Sequence, residues 1–411
     1  MRQHRFYNHI FRSLLCAALL FMMAFVSGCG LLTKTPIVKS APDDRPAAIP
    51  PQASSDTVEI GQSGIPDLDS KYFLKQLSEE DQRICAQMYA GISSFKQEIR
   101  FSTPISEKKL KTLMWLLSYD CPELFQINGE YSYFVQENKP DLALSIQPTY
   151  IFTKEAYTDA KKKLQDIIDL LQEEAAGLSG GFEKQLLFYQ SIITRCTYRE
   201  DGVYDGTAYG ALVLGYARCE GYSKALTLLL REAGIECLTL TGEAWSADDS
   251  QTRAPQKHAW NVACIDGAYY QMDVTWDDSD GMLPESSCYA YLNLTDEEIY
   301  QSRTLDTLYD ALDLPVCNDN ASNYYVKTGA YIPDGADIEE ALHLALNEAC
   351  EKGDTSVSIR LATDAQLQEL TSHLEKWMTA WYRNNHFSGS YNCTTFSVSN
   401  VFYLLDLVYQ G

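Results

Sequence analysis

The stretch from Cys219 to Asp273 most constrains how this chain folds, because it combines a helix pattern, a hairpin pattern and three reactive side chains. Small or apolar residues after Cys219 follow the spacing of a helix with one buried side: Tyr222, Ala225, Leu226, Leu229 and Ala233. Gly234 suits the left-handed residue that ends such a helix. Cys219 is therefore predicted at the helix N-terminus, where the helix dipole favours a thiolate.

A hairpin is predicted downstream of this helix. The pair Asp266-Gly267 is typical of a two-residue type I′ turn. Counting outward gives the cross-strand pairs Ile265–Ala268, Trp260–Asp273 and His258–Thr275. This register makes His258 and Asp273 diagonal neighbours on one sheet face, about 7–8 Å apart at the backbone. The other face is core-like and carries Ala259, Ala263, Ile265, Tyr270, Met272, Val274 and Trp276.

These residues predict a cysteine acyl-transfer site, with Cys219 as nucleophile, His258 as general base and Asp273 as the group that orients the imidazole. Each residue taken alone has an ordinary structural interpretation. Cys219 is one of ten cysteines that remain when Cys16 and Cys29 are set aside, and most buried cysteines serve only packing. The combination of the three is what favours catalysis.

Four motifs resemble the bacterial transglutaminase-like family, a branch of the papain-like cysteine enzymes. They are Ala208-Tyr-Gly-Ala-Leu-Val, Cys219-Glu-Gly-Tyr-Ser-Lys-Ala, His258-Ala-Trp-Asn and Asp273-Val-Thr-Trp-Asp-Asp, and they cover residues 180–300 approximately. The resemblance implies an α+β fold with a papain-like transglutaminase core, in which the nucleophile helix packs on an antiparallel sheet. It also implies that Cys219, His258 and Asp273 form the catalytic triad. One departure is Arg218, where a lysine-containing turn is expected.

Three aromatic residues are candidates for substrate or oxyanion contacts. Tyr209 lies in the motif that accompanies the nucleophile in the family, and its hydroxyl could support the oxyanion, with plain packing an equal alternative. Trp260 belongs to the histidine motif, and Trp245 begins a polar loop, Ala244 to Gln256, that could close over the site. The backbone N–H of Cys219 is the preferred oxyanion donor, since it belongs to a helix start.

The N-terminal residues predict export and lipidation. Arg2, Arg5 and Arg12 precede a short apolar run, which is typical of a signal peptide over 1–28. Val26-Ser-Gly-Cys29 resembles a lipobox, with Cys29 as the lipidated residue; an uncleaved anchor helix is the alternative. Proline-rich residues 29–66 predict a semi-extended tether. Both alternatives give an extracytoplasmic protein held at the membrane.

About 345 residues follow the tether, which is too many for one ordinary domain. The pattern changes near Ser179-Gly-Gly181 and again after Leu314-Pro-Val. We therefore predict a transglutaminase-like catalytic domain at 177–316 between two smaller α+β domains, one at 67–176 and one at 317–411. The first is expected to contain a strand over Phe95–Phe101 and a helix capped by Ser106. The last is expected to contain strands near Tyr324-Tyr-Val, Ser356–Arg360 and Val401.

Composition excludes several function classes. The formal net charge of −23 argues against a nucleic-acid partner and against electrostatic adhesion to anionic lipid. No Cys-x-x-Cys pair accompanies the twelve cysteines, which does not favour a zinc site. The acidic stretch after Trp276 lacks the spaced glutamate of an EF-hand, so calcium is not favoured either. We expect neither a metal nor an organic cofactor.

The expected chemistry is attack of Cys219 on an amide carbonyl to give a thioester. Water would complete a hydrolysis, and a lysine amine would complete a cross-link. We favour hydrolysis of protein or peptide substrates at the cell surface, because nothing in the sequence identifies a dedicated amine site. The alternatives are a true protein-glutamine γ-glutamyltransferase and a non-catalytic surface scaffold lipoprotein.

Overall fold

The computed structural model describes residues 64–136, 139–245, 255–278, 289–398 and 402–409. The predicted signal peptide, Cys29 and almost all of the predicted tether lie outside these ranges. Within the described part of the chain, no helix combines the length and apolar character needed to cross a membrane.

The first region is a three-stranded antiparallel sheet with two helices, in the strand order β1-β3-β2. Its elements are α1 (Glu79–Ser93), β1 (Ile99–Ser106), α2 (Glu107–Asp120), β2 (Ile127–Gln136) and β3 (Lys139–Tyr150). Ser106 begins α2 as predicted, since its hydroxyl accepts the N–H of Lys109 at 3.2 Å. The strand predicted from Phe95 begins only at Ile99, because Phe95 adopts a φ of 56° in a turn.

The second region is mainly helical and ends with the nucleophile helix. It comprises α3 (Lys154–Ala175), α4 (Gly181–Arg195), β4 (Thr197–Tyr198), a π-helical turn (Gly210–Leu214), β5 (Tyr216–Ala217) and α5 (Cys219–Glu232). The glycine break before α4 and the end of α5 near Gly234 are both as predicted. Gly234 has a φ of 75°, which glycine adopts without steric cost.

A five-stranded antiparallel sheet follows, in the order β10-β6-β7-β8-β9. Its elements are β6 (Cys237–Ala244), β7 (Gln256–Ile265), β8 (Ala268–Met272), α6 (Val274–Asp277), β9 (Leu292–Leu294), α7 (Asp296–Ile299) and β10 (Arg303–Leu305). The α+β class and the predicted packing of a helix on an antiparallel sheet are confirmed.

This sheet has a hydrophobic core on each face. One face contributes Leu238, Leu240, Trp260 and Val262 to a core shared with α1 and α2. The other face contributes Ala263, Ile265, Tyr270 and Met272 to a core shared with α3, α4 and α5. The helix α3 therefore packs with the nucleophile helix, although the sequence places it in the region before the catalytic segment. The domain boundaries themselves stay predictions.

The C-terminal region has a separate core beneath a four-stranded sheet ordered β11-β12-β14-β13. It contains α8 (Tyr324–Lys327), β11 (Tyr331–Ile332), α9 (Ile338–Lys352), β12 (Ser356–Leu361), α10 (Asp364–Asn384), β13 (Tyr391–Val398) and β14 (Phe402–Tyr409). The strand predicted at Tyr324 is wrong: Asn323 caps a helical turn there by accepting the N–H of Tyr325. The strand β13 was not predicted.

Packing of α5 on the sheet generates a stability prediction. Leu229 is fully buried in α5, whereas Leu170 in α3 is 44% exposed. We expect Leu229→Ala to lower the free energy of unfolding by about 2–5 kcal/mol, because it leaves a cavity in a close-packed core. Leu170→Ala is the matched control and should change it by less than about 1 kcal/mol. Urea unfolding followed by circular dichroism measures both; equal losses would contradict this packing.

Candidate active site

Cys219 is the first residue of α5, as predicted, and its side chain is nearly buried, with 8% exposed. Gly221 makes this position possible. A Cβ at Gly221 would collide with the carbonyl oxygen of Asp205 and with the Ala217 side chain. Glycine therefore lets the first turn of α5 lie directly against the preceding loop, which fixes where Cys219 sits.

His258 and Asp273 meet through the hairpin, but not by the predicted pairing. The turn is as predicted, with positive φ at Asp266 and Gly267, and Ile265 pairs with Ala268. The β7–β8 ladder stops at Asn261–Met272. The predicted pairs Trp260–Asp273 and His258–Thr275 are therefore wrong.

The ladder stops because Asp273 begins a helical turn. Its Oδ1 accepts the Trp276 N–H at 3.2 Å, so Asp273 is the N-cap of α6 and Thr275 lies in that helix. The other carboxylate oxygen, Oδ2, lies 2.7 Å from Nε2 of His258. Sequence reasoning thus placed the correct two side chains together, although it extended a correct register beyond the end of the ladder.

The protonation of this pair follows from its surroundings. Burial alone would raise the pKa of Asp273, but the charges and hydrogen bonds of His258 and Arg303 lower it to about 2. An ionised carboxylate only accepts hydrogen bonds, so Nε2 of His258 carries the proton that it donates to Asp273. This tautomer leaves Nδ1 with a free lone pair, which is the arrangement of a general base.

Arg303 is a site residue that sequence reasoning missed. Its Nε donates to Oδ2 of Asp273 at 3.1 Å, and its Nη2 donates to the same oxygen. Its guanidinium is fully buried over the rings of Trp276 and Tyr291, at 4.3 and 4.8 Å from their centroids. It lies 30 residues beyond Asp273 on a three-residue strand, and no motif or spacing in the sequence marks it.

The surroundings of Cys219 argue against the predicted thiolate. Burial and the neighbouring Glu220 carboxylate raise the pKa of the Cys219 thiol to about 12, although the Ala259 N–H and Arg218 act in the opposite direction. Removal from water favours the neutral thiol over the thiolate. The hydrogen bond from Ala259 also places the sulfur beside the residue that follows His258.

Charged side chains surround the nucleophile on its other side. Glu220 accepts the hydroxyl proton of Tyr119 at 2.6 Å and the guanidinium of Arg218 at 2.7 Å. Burial would raise the pKa of Glu220, but Lys224 and Arg218 lower it, so it remains a carboxylate. Asp205 also lies near Arg218. The charges beside Cys219 are thus already paired with one another.

The three aromatic candidates occupy different surroundings. Tyr209 stacks on Phe125 at 5.5 Å between ring centroids and meets Phe152 edge-on, which favours its packing alternative. Trp260 is fully buried, donates its indole N–H to Gln271 and stacks on the His258 ring. A side chain without exposed surface does not suit the expected substrate contact. The Trp245 N–H donates to the Ser302 carbonyl, while residues 246–254 of the predicted lid lie outside the described residues.

Metal binding was not expected, and the described residues show no group of three His, Cys, Asp or Glu side chains that could hold an ion. The acidic stretch after Trp276 serves other contacts where it is described. Asp277 accepts the Tyr189 hydroxyl at 2.7 Å, and Asp278 accepts the Tyr222 hydroxyl. Burial raises the pKa of Asp277 well above its usual range, which favours a neutral acid there.

Residues 169–274 match the family model of the Transglutaminase-like superfamily, a range that includes Cys219, His258 and Asp273. The chain contains a transglutaminase-like domain. This confirms the resemblance stated from the motifs over the matched range. No curated protein matches the sequence.

The solved structures that are similar to this chain share little sequence with it. A candidate cysteine protease from Cytophaga hutchinsonii is 14% identical over 36% of this chain and 61% of its own, with a TM-score of 0.24. A TGase is 13% identical over 58% and 59%, with a TM-score of 0.26. A candidate protease from Parabacteroides distasonis is 10% identical over 68% and 61%, with a TM-score of 0.25. This chain spans about 60% of the length of each.

The raised pKa of Cys219 predicts how its alkylation depends on pH. Because the thiolate is the form that reacts, the labelling rate of Cys219 by iodoacetamide should rise continuously from pH 6 to pH 9. Peptide mapping by mass spectrometry resolves Cys219 from the half-buried Cys264, which serves as the internal control. A fast rate already constant at pH 6, and lost in His258→Ala, would show a resting thiolate–imidazolium pair instead.

Proposed function

We propose that this protein is a cysteine hydrolase that cleaves amide bonds of proteins or peptides through a thioester on Cys219. One observation carries the proposal: His258 is fixed on an ionised Asp273 at 2.7 Å, and the Cys219 thiol at the helix start accepts the N–H of Ala259, the residue that follows His258. A thiol, a base and an orienting carboxylate in this order are the parts that nucleophilic acyl transfer requires.

In the first step, the Cys219 sulfur attacks the carbonyl carbon while Nδ1 of His258 takes the thiol proton. Proton removal accompanies attack, because the raised pKa keeps the proton on sulfur until then. The N–H of Cys219 has no acceptor within its own helix and suits the developing oxyanion. The imidazolium then protonates the leaving amine, the C–N bond breaks, and a thioester remains on Cys219.

In the second step, His258 takes a proton from water as the water oxygen attacks the thioester carbonyl. The C–S bond breaks, the carboxylic acid leaves, and the proton returns to the Cys219 sulfur. Asp273 remains ionised throughout and stabilises each imidazolium. All proton transfers pass through one imidazole, so this sequence is balanced with water as the sole co-reactant.

The choice of water over an amine rests on the charges beside the nucleophile. A carboxylate beside the nucleophile would attract the side chain of a lysine acceptor, and Glu220 is the carboxylate next to Cys219. Arg218 and Tyr119 already occupy Glu220. This pairing supports hydrolysis over cross-linking, which remains the competing acyl-transfer outcome.

We place the enzyme outside the cytoplasm. The arginine-flanked apolar segment and the Val26-Ser-Gly-Cys29 sequence support export and lipidation of Cys29. Residues 29–66 would then tether the catalytic body to the membrane. Protein or peptide substrates of the cell envelope follow from that location.

Two assays on the same substrate test the reaction. Dimethylated casein would be incubated with the full chain and monodansylcadaverine, and new N-termini and incorporated dansyl groups would be counted. We expect new N-termini to predominate at millimolar amine. Cys219→Ala and His258→Ala should each reduce cleavage by about 10³-fold or more, since they remove nucleophile and base.

The matched control is Cys264→Ala, which removes a half-buried thiol from the same sheet and should leave cleavage unchanged. Dansyl incorporation exceeding cleavage would replace hydrolysis with cross-linking. Binding of casein without either reaction would favour the scaffold alternative.

A further inference from the structure

We propose that Arg303 is a positioning residue of the triad: its guanidinium compensates the charge of Asp273 and so weakens the attraction of that carboxylate for a proton on His258. This inference rests on the proposed function for its catalytic meaning. The charge compensation itself can be measured without any substrate.

The geometry makes Arg303 and His258 compete for one oxygen. Oδ2 of Asp273 accepts Nε2 of His258 at 2.7 Å and Nε of Arg303 at 3.1 Å, with Nη2 of Arg303 as a third donor. The side chains of Asp273 and Arg303 are both fully buried. Because both are shielded from solvent, water screens the charges of Asp273 and Arg303 only weakly. The guanidinium therefore cancels much of the attraction that Asp273 has for a proton on His258.

Several contacts hold Arg303 against the carboxylate. Its guanidinium packs on the rings of Trp276 and Tyr291, which meet each other edge to face, and its Nη1 donates to the Ser302 hydroxyl at 2.7 Å. Its backbone pairs with Ala244 at the edge of the five-stranded sheet. Trp276 also meets the His258 ring edge-on at 5.9 Å, so one indole packs on both partners of Asp273.

Other charged groups around the pair do not replace Arg303. Asp277 in α6 lies near Asp273, but its burial favours the neutral acid. Lys257, next to His258, pairs at the surface with Glu243 on β6 and with Asp306, which follows β10. On the α5 side, Arg218 and Glu220 pair with each other. Among the described residues, Arg303 is the cation in contact with the Asp273 carboxylate.

Removing the cation should therefore make the Asp273–His258 pair bind a proton more tightly. Arg303→Met leaves one uncompensated negative charge in a buried site, and a proton on either partner relieves it. Arg303→Lys keeps the charge and should keep the proton affinity. If Arg303 had a purely structural role, both variants would change the stability of the protein or the amplitude of the His258 titration, and the midpoint of that titration would not move.

The experiment is a pH titration of the full chain labelled with ¹³C-histidine, followed by NMR. The His258 Cε1–H signal is assigned by its loss in His258→Gln. We expect the midpoint to rise by about one pH unit or more in Arg303→Met and to stay near the wild-type value in Arg303→Lys. The acid limb of casein cleavage should move in parallel.

Arg360→Met is the matched control, because Arg360 is a second buried arginine that pairs with a carboxylate, Glu298, in another part of the chain. It should leave the His258 midpoint unchanged. If Arg303→Met does not fold, Arg303→Gln removes the charge while keeping polar contacts and is titrated instead. An unmoved midpoint in the neutral variant, or an equal rise in Arg303→Lys, would overturn the inference. A shifted midpoint without casein cleavage would overturn the proposed function alone.

Discussion

The buried carboxylate of Asp273 is the point on which the site depends. Four elements meet there. Strand β8 ends just before Asp273 and α6 begins after it, while β7 contributes His258 and β10 contributes Arg303. Burying an ion is costly unless its lone pairs are matched, and removing one partner of such a pair typically costs about 3–5 kcal/mol. The same contacts that orient the imidazole therefore also hold the edge of the sheet together.

The electrostatics of the site favour a nucleophile that keeps its proton at rest and loses it during attack on the substrate. A helix terminus stabilises a charge by about 0.3–1 kcal/mol at ordinary exposure. Cys219 is nearly buried and lies beside the Glu220 carboxylate, and both effects raise its pKa against the opposing effect of Arg218. A protonated thiol suits a triad in which Arg303 already compensates the charge of Asp273. Activation then waits for a carbonyl group to be attacked.

Local sequence patterns were sufficient for the elements whose signals are local. The periodicity after Cys219, the Asp266-Gly267 turn and the Ser106 cap each depend on a few neighbouring residues, and each was predicted correctly. The His258–Asp273 contact was also predicted, although the strand was extended past Met272. An aspartate in a strand pattern can equally cap a helix, and only the tertiary fold selects between the two.

The features that were not predicted from the sequence depend on contacts between distant parts of the chain. Arg303 reaches Asp273 from another strand, so no spacing marks it in the sequence. The burial that raises the pKa of Cys219 is likewise a property of the packed molecule. In strand β13 the apolar alternation changes phase at Thr394-Thr395, so its eight residues give no single strand pattern.

The covalent intermediate gives the most direct test of Cys219 as the nucleophile. The full chain would be mixed with p-nitrophenyl acetate, quenched in acid within the first turnover, digested and analysed by mass spectrometry. We predict an acetyl group on Cys219 that neutral hydroxylamine removes, as expected for a thioester. Release of nitrophenol with no acetyl group on Cys219, or with a stable acetyl group on another residue, would contradict the central claim.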